Sequence, residues 1–340
     1  MGKLQMRTLG SALFVTLLSA LCSSAFGFSI DSRGVHQYFE RNTRAHSKVP
    51  FLDSSEPIHE ILTDKALQCG VAGALCERLS KIGITRSYIH EGLRSSDFPA
   101  AYFTEDTFVT CRNRLLRITN DSDVACILAS YGNAASSKHL FNNRNWTMRR
   151  SLGVRGHFGD LQFMHSMAPE GQSAEESYKH IRMWMEFAYR VSRHEFDLKS
   201  DVSQVSVSGM KTFFVRGARK VGDLFDYRFT YPRAGAVALG QMLHIAQDSF
   251  ARCHTRRDLN GQIIQFLSYL HQDTSSHRAH DNDMVYVESL ERLPLNPISF
   301  AKELLEMRAA DKSWEEVQSL IERYFKPAPN SPSAARGQGC

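Results

Sequence analysis

The residues of this chain best placed to do chemistry lie in one segment, Met242-Leu243-His244-Ile245-Ala246-Gln247-Asp248-Ser249-Phe250-Ala251-Arg252-Cys253-His254. His244 and Asp248 are four apart, so on a helix they project from one face, one turn apart, as two ligands of a single metal must. His254 follows just beyond, where it could turn toward a neighbouring ion. His277 and Asp281 repeat the same spacing downstream. Imidazole and carboxylate donors at this spacing suit Zn²⁺. The chain has 14 His, so a His-x-x-x-Asp pair alone carries little weight, and ordinary core or surface residues are the competing reading. An ionised Asp248 within an apolar helix, however, needs a partner, and a metal is one.

The elements that must position these residues read as helices. Residues 58–69 form an expected helix, with Pro57 ahead of it and Gly70 at its end. Ser173-Ala174-Glu175-Glu176 opens an amphipathic run to about His194, with Ile181, Trp184, Met185, Ala188 and Val191 on one stripe. Residues 234–250 are Ala-rich and apolar, which fits a buried helix, and 260–271 and 297–325 also read as helical. Val202 to Val207 is the best stretch of period two, and it is short. No internal repeat or clear linker divides the chain. The expected fold class is all-α, a single multi-helix domain of residues 28–325, followed by a flexible Pro-, Ser- and Gly-rich tail of residues 326–340.

The first 27 residues read as a signal peptide. Lys3 and Arg7 form a basic start, Leu13 to Leu21 a short apolar run, and Ala25-Phe26-Gly27 a cleavage site before Phe28. The apolar run is short for a membrane span, and no later stretch is long enough, so the mature chain is expected to be secreted or periplasmic and not transmembrane. Cys22 leaves with the signal, and Cys69, Cys76, Cys111, Cys126, Cys253 and Cys340 remain. Six cysteines allow 15 pairings. Nearest neighbours, Cys69 with Cys76 and Cys111 with Cys126, are the plainest choice, while Cys253 is expected to pack or pair rather than bind metal. The formal net charge of +5 is well short of that of a dedicated DNA-binding protein.

The order of these motifs resembles the zinc-dependent phospholipase C family, which shares its fold with the single-strand-specific zinc nucleases. His244, Asp248 and His254 match the family's His-x-x-x-Asp-x-x-x-x-x-His. His277 and Asp281 match a following His-x-x-x-Glu, with a shorter carboxylate. His59 matches an early His, Gly92 to Asp97 followed by Phe98 a Gly-x-x-x-x-Asp-aromatic segment, and His157-Phe158-Gly159-Asp160 a His-Phe-x-Asp segment. The stretch between Asp97 and His157 is longer than in compact members, as an insertion carrying Cys111 and Cys126 would make it.

The resemblance implies three zinc ions. Asp97, His157, His244 and Asp248 would hold one, and His254, His277 and Asp281 a second. The third would take His59, Asp248 as a bridge, and the amine and carbonyl of Phe28 at the mature N-terminus. His165 is the alternative to His157. His271 and His280 are expected beside the second site or in solvent, and His36, His46, His90, His139, His180 and His194 at the surface.

Such a centre suits phosphodiester hydrolysis, because metal binding lowers the pKa of water from 15.7 toward about 7. The resemblance makes Asp97 a ligand and also the general base. No Gly-x-Ser-x-Gly elbow or Walker loop offers another route. Phe28-Ser29-Ile30-Asp31 and Phe98 match the residues with which choline-binding phospholipases hold a quaternary ammonium, an acid beside an aromatic face. The favoured expectation is a monomeric phospholipase C acting on phospholipid at a membrane surface, with no stable nucleic-acid partner. A nuclease is the alternative, supported by Arg144, Arg149, Arg150 and Arg155 around Trp146, which could track a strand and stack a base. A zinc-free secreted binding protein on the same fold is a further alternative.

Overall fold

The computed structural model describes residues 57–97, 152–217, 219–225 and 230–340. Its elements are mostly helical. In chain order they begin with α1 (Ile58–Leu67), α2 (Leu75–Lys81), α3 (Arg86–Asp97) and α4 (Leu152–Phe158), followed by a 3₁₀ turn at Gln162–His165. Next come α5 (Ala174–Ser192), α6 (Met210–Phe213), α7 (Val221–Phe225) and α8 (Tyr231–Asp248). A two-stranded hairpin, β1 (Thr255–Arg257) and β2 (Ile263–Phe266), leads to α9 (Thr274–Asp281), α10 (Met284–Leu290), α11 (Pro297–Ala309) and α12 (Trp314–Phe325).

Helix α8 is the axis of the fold. Pro232 in its first turn suits helix entry, and every residue from Arg233 to Asp248 is buried. It packs against α3, α5, α7 and α11. The α3 crossing is close because glycines face each other there: a Cβ on Gly92 would collide with the Val237 carbonyl, and one on Gly240 with that of Ile89. Helix α5 starts where Ser173 accepts from the Glu176 amide, and its expected stripe is fully buried. Trp184 on that stripe packs among Phe163, Phe187, Phe214 and Phe225.

Several expectations need correction. The run 297–325 is two helices, because Asp311 takes a left-handed φ of 53° and Ser313 with Glu316 forms a new capping box. Residues 260–271 are not a helix. Asp258 accepts from the amides of Asn260 and Gln262, and Gly261 at φ 83° completes a turn that feeds β2. Val202–Gln204 is a 3₁₀ turn, started by Asp201 accepting from the Ser203 amide. The tail is held rather than flexible. Ala328 donates to the Ile263 carbonyl, Ala335 to that of Phe266, and Ser268 to that of Ala335. The Cys253–Cys340 disulfide closes it.

Cys69 pairs with Cys76 as expected, while Cys111 and Cys126 lie outside the described residues. The disulfides fit an extracellular or periplasmic location. Among the described residues no helix is long and apolar enough to cross a membrane.

Candidate metal centre

The C-terminal end of α8 brings His244 and Asp248 onto one face, both fully buried. His244 Nε2 lies 3.0 Å from Asp248 Oδ2. The 3₁₀ turn adds His165, whose Nδ1 is 3.0 Å from the same oxygen and 3.0 Å from His244 Nε2. These atoms form a triangle of equal edges. From α1, His59 reaches the other oxygen, with Nε2 3.4 Å from Asp248 Oδ1. Its ring stacks on that of His244, centroids 4.3 Å apart. The two carboxylate oxygens therefore face different imidazoles. Oδ1 has no hydrogen-bond partner among the described residues, although Asp248 is wholly buried.

A second group adjoins the first. His254, just past α8, and His277 and Asp281 from α9 offer donors that all lie within 4.8 Å of one another, and all three residues are buried. His277 Nε2 is 3.1 Å from Asp281 Oδ2, so the shorter carboxylate reaches its neighbour on the same helix face. His254 Nδ1 donates to the His165 carbonyl at 2.6 Å, which turns Nε2 away from that bond; Nε2 has no hydrogen-bond partner among the described residues. His254 Nδ1 is also 3.6 Å from Asp248 Oδ2, so the two groups touch.

Burial sets the charge states. It pushes His59 down to about 3, with the neighbouring His244 adding to the effect, and His165 to about 4. Burial lowers His254 as well. Burial alone would raise Asp248, but His244 and His254 beside it and hydrogen bonds from His165 and His244 hold it well below the ordinary carboxylate value. At neutral pH the centre is a carboxylate facing neutral imidazoles of His59, His165 and His254. A buried anion ringed by nitrogen donors is a set that could hold metal ions.

Two amides missed in the sequence support the imidazoles. Gln247 Oε1 accepts from His59 Nδ1 at 2.6 Å, and its Nε2 donates to Thr63 Oγ1 at 2.8 Å. Gln272 Oε1 accepts from His277 Nδ1, and its Nε2 donates to the Cys253 carbonyl at 2.7 Å. Each bond leaves the opposite ring nitrogen as the donor atom facing the carboxylates. An amide has no ligand spacing to announce it. Gln247 is betrayed only by adjoining Asp248 in sequence.

Both histidines weighed for the first group are present. His165 makes the approaches given above, and His157, from α4, packs beside it with ring centroids 4.3 Å apart. Asp97 is the last residue of α3, and only its backbone is described. Phe28, Asp31 and Phe98 lie outside the described residues, as do Arg144, Trp146, Arg149, Arg150, His36, His46 and His139. Arg155, counted with the basic stretch, is buried, bidentate to Asp160 and bonded to the Phe213 carbonyl. It is thereby removed from any strand-tracking surface.

His90 is not at the surface: it is buried and bonded to Asp64 at 2.9 Å. His180 is half-buried against Phe163 and Phe213, and His194 is exposed. His271 is exposed near Glu170, and His280 is half-buried with Nε2 3.3 Å from the Gly339 carbonyl.

Comparison with known proteins returns nothing: no family model, curated protein or solved structure matches the chain significantly.

Proposed function

We propose that this chain is a secreted zinc-dependent phosphodiester hydrolase, a phospholipase C that cleaves phosphatidylcholine-type lipids to diacylglycerol and a phosphorylated headgroup. The observation that carries the metal reading is the buried Asp248 carboxylate, with one oxygen turned to His59 and the other to His165 and His244. Zinc–nitrogen bonds of about 2.0–2.1 Å put tetrahedral neighbours roughly 3.4 Å apart, close to the triangle's 3.0 Å edges. This donor set supports the zinc reading, in which Asp248 would be shared between ions.

His165, His244 and Asp248 would hold one ion, His254, His277 and Asp281 another, and His59 with the second oxygen of Asp248 a third. Bound zinc supplies water activation at neutral pH and neutralises charge on the phosphoryl group. The chain's own residues do the rest. Gln247 and Gln272 hold the imidazole tautomers, and the buried shell fixes ligand positions before substrate arrives. The motif resemblance supplies the remaining roles: Asp97 as base toward the attacking water, Phe28 as N-terminal ligand, and Asp31 with Phe98 at the quaternary ammonium. The lipid substrate rests on that resemblance, and the burial of Arg155 weakens the nuclease alternative.

The test compares hydrolysis of phosphatidylcholine and single-stranded DNA by the mature chain, with and without chelator. Chelator-sensitive release of phosphocholine is expected. Chelator-sensitive cleavage of DNA alone would favour the nuclease.

A further inference from the structure

The C-terminal residues reach the second donor group through an unbroken set of contacts. Gln272 is buried, and its orientation is fixed by chemistry: the Cys253 carbonyl can only accept, so the side-chain amide nitrogen must face it. The amide oxygen is then left for His277, whose Nδ1 must carry the proton. Against this amide lies Gly337. Its φ is 69°, and a Cβ there would meet Gln272 Nε2 at 2.5 Å and Cδ at 3.1 Å. At that φ a side chain is strained, and it would displace the Gln272 amide. Gly337 is in turn placed by its carbonyl accepting from the Cys340 amide at 3.1 Å and by the Cys253–Cys340 disulfide. Cys253 thus anchors the tail through sulfur, accepts from Gln272 through its carbonyl, and immediately precedes His254.

We propose that the disulfide-locked tail is a positioning element of the second metal group, with the bare backbone of Gly337 leaving Gln272 the place from which it orients His277. The first group has a different support. Gln247 sits within α8 and is held by Thr63 of α1, so it needs nothing from the tail. The tail therefore controls one group and spares the other. The sulfurs of Cys253 and Cys340 also lie near His280 but are engaged with each other in the disulfide.

This inference rests on the metal reading above, and its test separates the two. Gly337→Val and Cys340→Ser are made in the full mature chain, and Zn²⁺ alone is titrated against a chromophoric chelator. The nitrogen shifts of the His277 ring are read in the metal-free proteins. The intact chain should show His277 protonated at Nδ1. Both variants should lose that fixed tautomer and weaken one class of zinc by roughly 10–100-fold, the usual effect of an outer partner. The zinc class at Asp248 should be unchanged, which also reports that the variants are folded. Unchanged His277 shifts with every class at full affinity would overturn the proposal, as would equal weakening of all classes. An intact chain that bound no zinc would defeat the metal reading, while the His277 shifts would still decide whether the tail sets that ring.

Discussion

His254 donates through Nδ1 to the backbone carbonyl of His165 at 2.6 Å. The carbonyl can only accept, so this bond sets the tautomer of His254 without ambiguity. One residue thereby serves both donor groups: the side chain of His165 meets Asp248, and its backbone aims His254 toward His277 and Asp281. The two groups adjoin through this one residue, while each keeps its own supporting amide, Gln247 for His59 and Gln272 for His277.

The shared carboxylate gives the first prediction. Asp248→Asn keeps the shape of the side chain but removes the charge that faces His59, His165 and His244. Zinc affinity should fall by more than the roughly 10–100-fold typical of an outer partner, and activity should fall with it. Competitive zinc titration checks this, and near-native binding would refute the bridging role.

The competing histidines give a second. His165→Ala should abolish zinc at the first group and disturb His254 only through backbone adjustment. His157→Ala should leave measurable zinc there, because His157 packs against the ring of His165. Metal counts on the two variants decide between them, and the reverse order would restore the assignment drawn from the His-Phe-x-Asp match.

Acid stability gives a third. His59 and His165 protonate near pH 6.5 in the unfolded chain, but only near 3 and 4 when buried. Below pH 6.5 the unfolded chain therefore binds more protons than the folded one. The stability these groups contribute is complete above that pH and is lost as pH falls toward 4 and 3. Asp248, held below its ordinary value, adds a loss of the same sign below about pH 4. Thermal unfolding in chelator should show the midpoint dropping from pH 7 to 4. A flat profile would mean that the imidazoles are not held neutral.

Much of this was legible in the sequence, for reasons that differ from residue to residue. Helix α8 and the stripe of α5 follow from apolar spacing, and the two i, i+4 pairs survive because a helix fixes their geometry locally. The hairpin is not legible, because Ile263 to Phe266 is too short for its periodicity to separate strand from helix. The anchoring of the tail depends on Cys340 meeting a cysteine 87 residues away, which composition cannot reveal. His165 owes its place to a 3₁₀ turn and to Ser166, which is in a left-handed conformation and donates to the Ile245 carbonyl. His90 is buried by Asp64 of a neighbouring helix, a contact invisible along the chain.

The crossing of α3 and α8 gives a fourth prediction. Gly92→Ala or Gly240→Ala places a methyl group against opposing backbone, which cannot rotate away. Each should destabilise the fold by about 1–3 kcal/mol or more, read by denaturant unfolding of the mature chain. A neutral effect would mean that the helices separate easily and that the position of Asp248 does not depend on this contact.

On the proposed reading, the buried histidines and carboxylates form a zinc centre that hydrolyses phospholipid. The most direct measurement is the zinc content of the purified mature chain, taken together with its release of phosphocholine from phosphatidylcholine. The expected result is at least two tightly bound equivalents per chain, loss of hydrolysis when a chelator removes them, and recovery on zinc addition. A folded chain that binds no zinc, or one that releases phosphocholine equally well without it, would rule out a zinc phospholipase.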